Sequence, residues 1–366
     1  MKKFISSLLI AGTLIFSSSA FADDFSYSAV DEFEKESFKV NDSKYFYDST
    51  IKEKKIIEFD QKKLLKTIEN TLDYFNKNLG SDKVIERAGI LGQYGVDLDT
   101  LLDTLNFMKI ILEDDLKSGK NRLAEPEFLN QNFRIINWKP YNPKDLNQDK
   151  VRITKYAIFN HQGSKTKTAK FNIPLYEIVA KDDFYKKYTK QEVLTGIFEK
   201  GGKEFGKAKA LVYLTRDGLE EALMEGTLLV NFPDGSKKYY NVDRNNSIAY
   251  VKGLKRENQK RYWYFKNVEG INGYGKDIEH RIKIEDSVTF AGDVFNIGVG
   301  KIVLLNYKIA DKTHLKMGII GDTGGAFLPN LHQLDFLAGT FKNKEEFNKY
   351  SQSLPSYANV SFIIKK

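Results

Sequence analysis

Apolar residues recur at helical spacing in two long stretches. Leu64, Leu65, Ile68, Leu72, Phe75 and Leu79 share one face of a helix that Asp60 is placed to cap and Gly80 to end. Leu98, Leu101, Leu102, Leu105, Met108, Leu112 and Leu116 repeat the stripe over about 97–116. After Pro126 the pattern turns to β-branched and aromatic runs, predicting strands at 133–138, 151–159 and 171–179. A helix interrupts them, with Thr189 and Glu192 as a capping box ahead of Val193, Leu194, Ile197 and Phe198. Strands resume at 210–214 and 226–232, and Asp234-Gly235 is a hairpin turn into 236–242. Further strands are expected at 261–268, 287–290, 301–307, 316–320 and 360–364, with a last helix from about Asn343. Many short strands and few helices predict β-barrels carrying a helical N-terminal layer. Residues 23–55 lack steady periodicity and read as an extended arm.

The first residues change the picture of where the chain works. Lys2 and Lys3 precede an apolar run over 4–16, and Ala20-Phe21-Ala22 supplies small residues before a cleavage point. That is the pattern of a secretory signal peptide, 1–22, with cleavage expected after Ala22 and an exported, periplasmic product. The run is too short to span a bilayer, and no other stretch is as apolar. The chain has no cysteine. Disulfides, thiol catalysis and an acylated cysteine anchor are therefore not expected. With 366 residues there is room for two domains. The formal +8 of the whole chain, less the two lysines of the leader, leaves +6. A basic exported protein suits an anionic envelope polymer, whereas nucleic acid is not an expected partner.

Candidate chemistry lies near the C-terminus, in Gly321-Asp322-Thr323-Gly324-Gly325-Ala326 and Leu334-Asp335-Phe336-Leu337-Ala338-Gly339-Thr340. Two carboxylates stand among glycines, which let a backbone approach a ligand, and apolar residues, which desolvate a carboxyl group and raise its pKa. That is what a general acid needs near neutral pH. The plainer reading makes Asp322 a turn cap and Asp335 a solvated loop acid. Other chemistries fall away. His161, His280, His314 and His332 show no metal-ligand spacing, and there is no Gly-x-Ser-x-Gly elbow or Walker loop. Residues 270–275 hold three glycines but open no helical pattern, so they read as a turn. Trp138, Tyr156, Tyr262, Trp263 and Tyr264 could stack on sugar faces, or could be ordinary strand residues.

Several separated segments resemble, in order, the membrane-bound lytic murein transglycosylase A (MltA) family with its C-terminal three-aspartate (3D) domain. They are 128–133; Thr154-Lys155-Tyr156 with Ser164 and Ile173-Pro174-Leu175-Tyr176; Thr189; Asp234-Gly235; Asn258 with Tyr262, Phe265 and Lys266; and Asp322-Thr323-Gly324-Gly325-Ala326 with Asp335 and Gly339-Thr340. The chain differs from the family pattern at Ala157, Ile158 and Leu328-Pro329, and at Ala291, where the third aspartate is expected and Asp293 falls two residues on. The resemblance implies a double-psi β-barrel made from 56–155 and 256–366, an inserted second β domain at 156–255, and a groove between them. It implies non-hydrolytic cleavage of the MurNAc–GlcNAc β-1,4 bond of peptidoglycan to 1,6-anhydromuramoyl ends. Asp335 would be the acid and then the base, with Asp322 beside it. Thr154, Tyr156, Asn258, Tyr262, Gly324 and Gly325 would bind glycan, without cofactor or metal. Two rivals remain: a 3D-type barrel that grips glycan without cutting it, and a hydrolase of another β-glycan.

Overall fold

The computed structural model describes residues 26–30, 37–41, 44–87, 89–277, 279–324, 327 and 329–366. The expected leader and Gly325 lie outside these. The described residues begin with the antiparallel pair β1 (Ser26–Val30) and β2 (Ser37–Asn41), then β3 (Phe46–Ser49) and β4 (Ile57–Glu58). Helices α1 (Gln61–Asn78), α2 (Lys83–Glu86), α3 (Leu98–Ser118) and α4 (Pro126–Asn132) follow. Next come β5 (Phe133–Trp138), β6 (Val151–Gln162), β7 (Ile173–Ile178), α5 (Lys190–Leu194), β8 (Ala208–Leu214), α6 (Arg216–Glu225), β9 (Thr227–Asn231), β10 (Lys237–Asn245) and β11 (Trp263–Val268). The chain ends through β12 (Ile271–Asn272), β13 (Lys283–Ile284), β14 (Thr289–Ala291), β15 (Ile302–Ile309), β16 (Lys312–Asp322), β17 (Gln333–Phe341), α7 (Lys344–Ser351) and β18 (Tyr357–Lys365).

The helix ends follow from their caps. Asp60, Asp97 and Asn343 each accept a backbone N–H from the third residue on, and Thr189 with Glu192 completes a capping box. Helix α5 nevertheless stops at Leu194, so Ile197 and Phe198 are buried from turns rather than from its face. Helix α6 lies where no helix is predicted, and β17 runs through 333–341, where no strand is predicted and the plainer reading makes Asp335 a loop acid.

Six strands close on themselves in the order β6, β17, β14, β16, β15, β18 and back to β6. The protein is mainly β, built on this closed barrel. Helices α1 and α3 pack against each other and feed the first hydrophobic core, which also holds Phe290, Phe336, Phe362 and Ile320. The expected arm is partly built into this body. Phe46 is buried, β3 pairs with β5, and the Phe46 ring stacks 6.4 Å from Trp138. Burying one such ring stabilises by about 1.5–3 kcal/mol, enough to hold a short edge strand in place.

Strand β6 links the two halves of the molecule. Its residues Arg152 to Phe159 pair with β17, and Asn160 to Gln162 pair with β9. Strands β9, β10 and β11, the separate β7–β8 pair, and α5 and α6 surround a second core that includes Leu175, Tyr240, Tyr262, Tyr264 and Phe265. A Lys190–Glu220 pair 2.6 Å apart, both residues 1% exposed, ties α5 to α6 beneath it.

Candidate active site

The two aspartates meet on one rung of the barrel. Ala291 on β14 is the register partner of Asp322 on β16 and of Asp335 on β17, and Asp335 pairs in turn with Thr154 on β6. Strands lie about 4.8 Å apart, so the aspartate Cα atoms stand about 10 Å apart across an alanine too small to fill the gap. A register shift sets this up: Phe290 pairs with Ile320 and Ala291 with Asp322, so Gly321 is the extra residue of a bulge. The bulge re-aims Asp322 out of the alternation of β16. Gly321 also needs a glycine across from it, because a Cβ on Gly273 would lie 2.3 Å from the Gly321 carbonyl oxygen.

The two carboxyl groups have different surroundings. Asp322 Oδ2 accepts the Tyr156 hydroxyl at 2.7 Å, and Oδ1 accepts the Thr323 backbone N–H at 2.8 Å. Burial pushes Asp322 up to about 6, even though these donors and the Arg281 charge pull it down; the Asp335 charge adds to the rise. Burial also pushes Asp335 up to about 6, against the Thr154 hydroxyl and the Lys155 and Arg152 charges. Asp335 Oδ1 is buried with no hydrogen-bond partner among the described residues. Tyr156, its phenol pushed well up by burial and by both aspartates, stays protonated as a donor.

A cleft of about 270 Å³ opens beside this rung, between the barrel and the second core. Tyr156, Arg281 and Asp322 line one side, and Thr227, Asn241 and Trp263 the other. Asp335 and Thr154 do not line it; they lie one and two strands beyond Ala291. Of the other expected glycan-binding residues, Gly324 follows β16, half-buried. Asn258 is exposed on a short turn at 256–258. Tyr262 is fully buried in the second core, with its hydroxyl 3.5 Å from the Pro174 carbonyl oxygen. Neither Asn258 nor Tyr262 faces the cleft. Strand alternation explains Tyr262: it and Tyr264 turn inward, and Trp263 between them turns to the cleft. Trp138 likewise belongs to the core, stacked 5.5 Å from Phe362.

Arg281, Asn241 and Thr227 were not legible as cleft residues, since each sits in a segment with no chemical motif. Asp293, the displaced third aspartate, is fully buried. Its Oδ1 accepts the Asn296 backbone N–H at 3.0 Å, and Oδ2 accepts Asn296 Nδ2 and the Asn330 backbone N–H, each at 2.7 Å. The histidines lack metal-ligand spacing in sequence, but the fold brings His161 to Glu221 and Glu225, with potential ligand atoms within 4.8 Å of one another. His161 Nε2 lies 3.1 Å from Glu225 Oε2, within hydrogen-bond distance.

Among the described residues, no helix is long and apolar enough to cross a membrane. No protein-family profile matches the chain, and no curated protein matches it in sequence. Solved structures do. The chain is similar to E. coli MltA with bound chitohexaose, at a TM-score of 0.58 and 13% identity over 88% of this chain and 94% of that one. It is also similar to Neisseria gonorrhoeae MltA, at 0.53 and 14% over 83% and 87%, and to the Agrobacterium tumefaciens membrane-bound lytic murein transglycosylase, at 0.51 and 13% over 85% and 97%. At these identities the likeness establishes architecture: this chain has the fold of the MltA lytic transglycosylases.

Proposed function

We propose that the protein is an exported, periplasmic lytic transglycosylase that cuts the MurNAc–GlcNAc bond of peptidoglycan and leaves a 1,6-anhydromuramoyl end. The observation that carries this is the rung itself: two burial-raised carboxyl groups flanking Ala291, beside a cleft between two cores, in the fold of enzymes of that name. The E. coli relative binds chitohexaose, which supports a glycan in the cleft. The finer architecture belongs to the same proposal. The closed barrel would be of the double-psi type, with α1 and α3 its helical layer; because β11 with Tyr262, Tyr264 and Phe265 packs in the second core, the inserted unit expected at 156–255 would run on to Val268.

The reaction needs one residue acting twice. Asp335, protonated, gives its proton to the departing GlcNAc oxygen as the C1–O bond breaks. The MurNAc C6 hydroxyl then bonds to C1, and the Asp335 carboxylate takes its proton, restoring the acid. A hydrolase would need a second carboxylate to activate water or to attack C1. Asp335 fits the role better than Asp322 because its Oδ1 has no partner, whereas both Asp322 oxygens accept donors that favour its ionised form. Asp322 is then a positioning residue, held by Tyr156 and Thr323 on the far side of Ala291 from Asp335. Activity should fall as pH rises through about 6, where Asp335 loses its proton, and again below it, where Asp322 gains one. The rate should peak in a narrow bell near that pH.

One observation favours the rival glycan-binding reading: the cleft is lined by Asp322 and not by Asp335. Incubation of the purified protein with peptidoglycan sacculi, with mass spectrometry of the soluble products, separates the readings. Anhydro-ended muropeptides support the lytic reading. Reducing ends mean hydrolysis, and binding without release means a module.

A further inference from the structure

We propose that Arg281 is the anion-reading residue of the cleft, binding a carboxylate carried by the muramic acid unit of the strand. This rests on the peptidoglycan reading above and names which chemical feature of the polymer the cleft selects.

Arg281 is held in the cleft beside backbone pairing between 273–274 and 282. Gly273 N–H donates to the Ile282 carbonyl at 2.8 Å, and Ile282 N–H donates back to Tyr274 at 2.8 Å. The chain packs so closely there that a Cβ on Gly275 would lie 2.6 Å from Arg281 Cγ. The guanidinium is left over. Its Nε is buried with no hydrogen-bond partner, and the side chain makes no ion pair among the described residues. The nearby acids have other partners: Asp243 pairs with Arg244 at 2.6 Å and Lys266 at 3.5 Å, although its Oδ1 is buried without a hydrogen bond, Asp277 with His280 at 2.7 Å, and Asp322 with Tyr156 at 2.7 Å. Leaving the buried Nε–H without an acceptor is costly, and a carboxylate is the natural complement of a guanidinium.

GlcNAc is neutral, so the carboxylate must come from the muramic acid unit. Two sources share that chemistry. The O3 lactyl group carries a free carboxylate where the stem peptide has been removed, and an intact stem carries carboxylates of its own. Trp263 and Asn241 across the cleft can meet the uncharged parts of the sugar, so Arg281 adds selection by charge rather than general affinity.

The test measures dissociation constants by calorimetry in the Asp335→Asn protein, so that no strand is cut. The probes are chitohexaose, stem-free strands from amidase-treated sacculi, and stem-bearing strands. Binding of at least one charged strand should be about tenfold to a hundredfold tighter than that of chitohexaose, as expected for a charge-assisted pair. Arg281→Gln should remove that preference and leave chitohexaose affinity within about twofold, while Arg281→Lys should keep part of it. A preference confined to stem-free strands assigns the lactyl carboxylate, and one confined to stem-bearing strands assigns the peptide. If chitohexaose binds but charge makes no difference, or the preference survives in a folded Arg281→Gln protein, the inference is overturned and the glycan reading stands. If none of the three probes binds, the peptidoglycan reading fails and takes this inference with it.

Discussion

Asp293, fully buried in the loop after β14, and Asp335, half-buried on β17, show a similar upward pKa shift under two wirings. Burial pushes each carboxyl up to about 6. Asp293 accepts three hydrogen bonds and ties the start of its loop to Asn330, the residue before Leu331 and β17. Asp335 keeps a buried oxygen with none. A satisfied buried acid braces the fold, whereas an unsatisfied one retains a desolvation penalty that a proton or a ligand can relieve. The raised pKa alone does not separate the two residues; the hydrogen-bond partners do.

The sharpest way to break this contrast is Asp335→Asn. Loss of a general acid should cut the rate of anhydro-product release by about 10²–10⁴-fold. The same substitution should raise the thermal midpoint at pH 8. A native pKa raised to about 6 means the folded state holds a proton that the unfolded chain gives up between about pH 4 and 6, so the charged group costs stability above that window. Calorimetric scans should show the gain at pH 8 shrinking to nothing by about pH 4. Asp293→Ala should behave in the opposite way. Orphaning the Asn296 and Asn330 backbone donors should cost about 3 kcal/mol, read as a lower denaturant midpoint, with the rate per folded molecule retained. A version of Asp293→Ala that stabilised the protein and abolished cutting would erase the distinction. Tyr156→Phe should have the smallest effect. It removes a donor to the ionised form of Asp322, so the acid limb of the pH–rate profile should move to higher pH with less than about tenfold loss at the optimum. An unmoved limb would detach Asp322 from that limb.

The sequence made legible whatever depends on local rules. The caps at Asp60, Asp97, Thr189 and Asn343 bind a backbone a few residues away, and the apolar stripes of α1 and α3 follow from helical period. It was weaker wherever two distant segments decide the outcome. Trp263 and Tyr262 show why: a run of strand-forming aromatics fixes alternation, but which phase faces the cleft depends on the core beneath. The Gly321 bulge could not be read either, because it exists only in pairing with β14. Strand β17 looked like a loop because its acid and glycine are weak strand formers held by neighbours on both sides. Helix α6 has only Leu219, Ala222 and Leu223 as its buried apolar stripe, too short to register between strands. Arg281 has no local signal; the acids around it come from distant segments, Asp243 on β10 and Asp322 on β16.

The most direct test of the Asp335 assignment is a ¹³C NMR titration of its side-chain carboxyl carbon in the folded protein, identified by its disappearance in Asp335→Asn. A midpoint near 6 is the expected result for a desolvated acid able to give and recover a proton near neutral pH. A midpoint at or below the ordinary aspartate value of about 4 would mark a solvated or charge-paired carboxylate and would contradict its role as the acid.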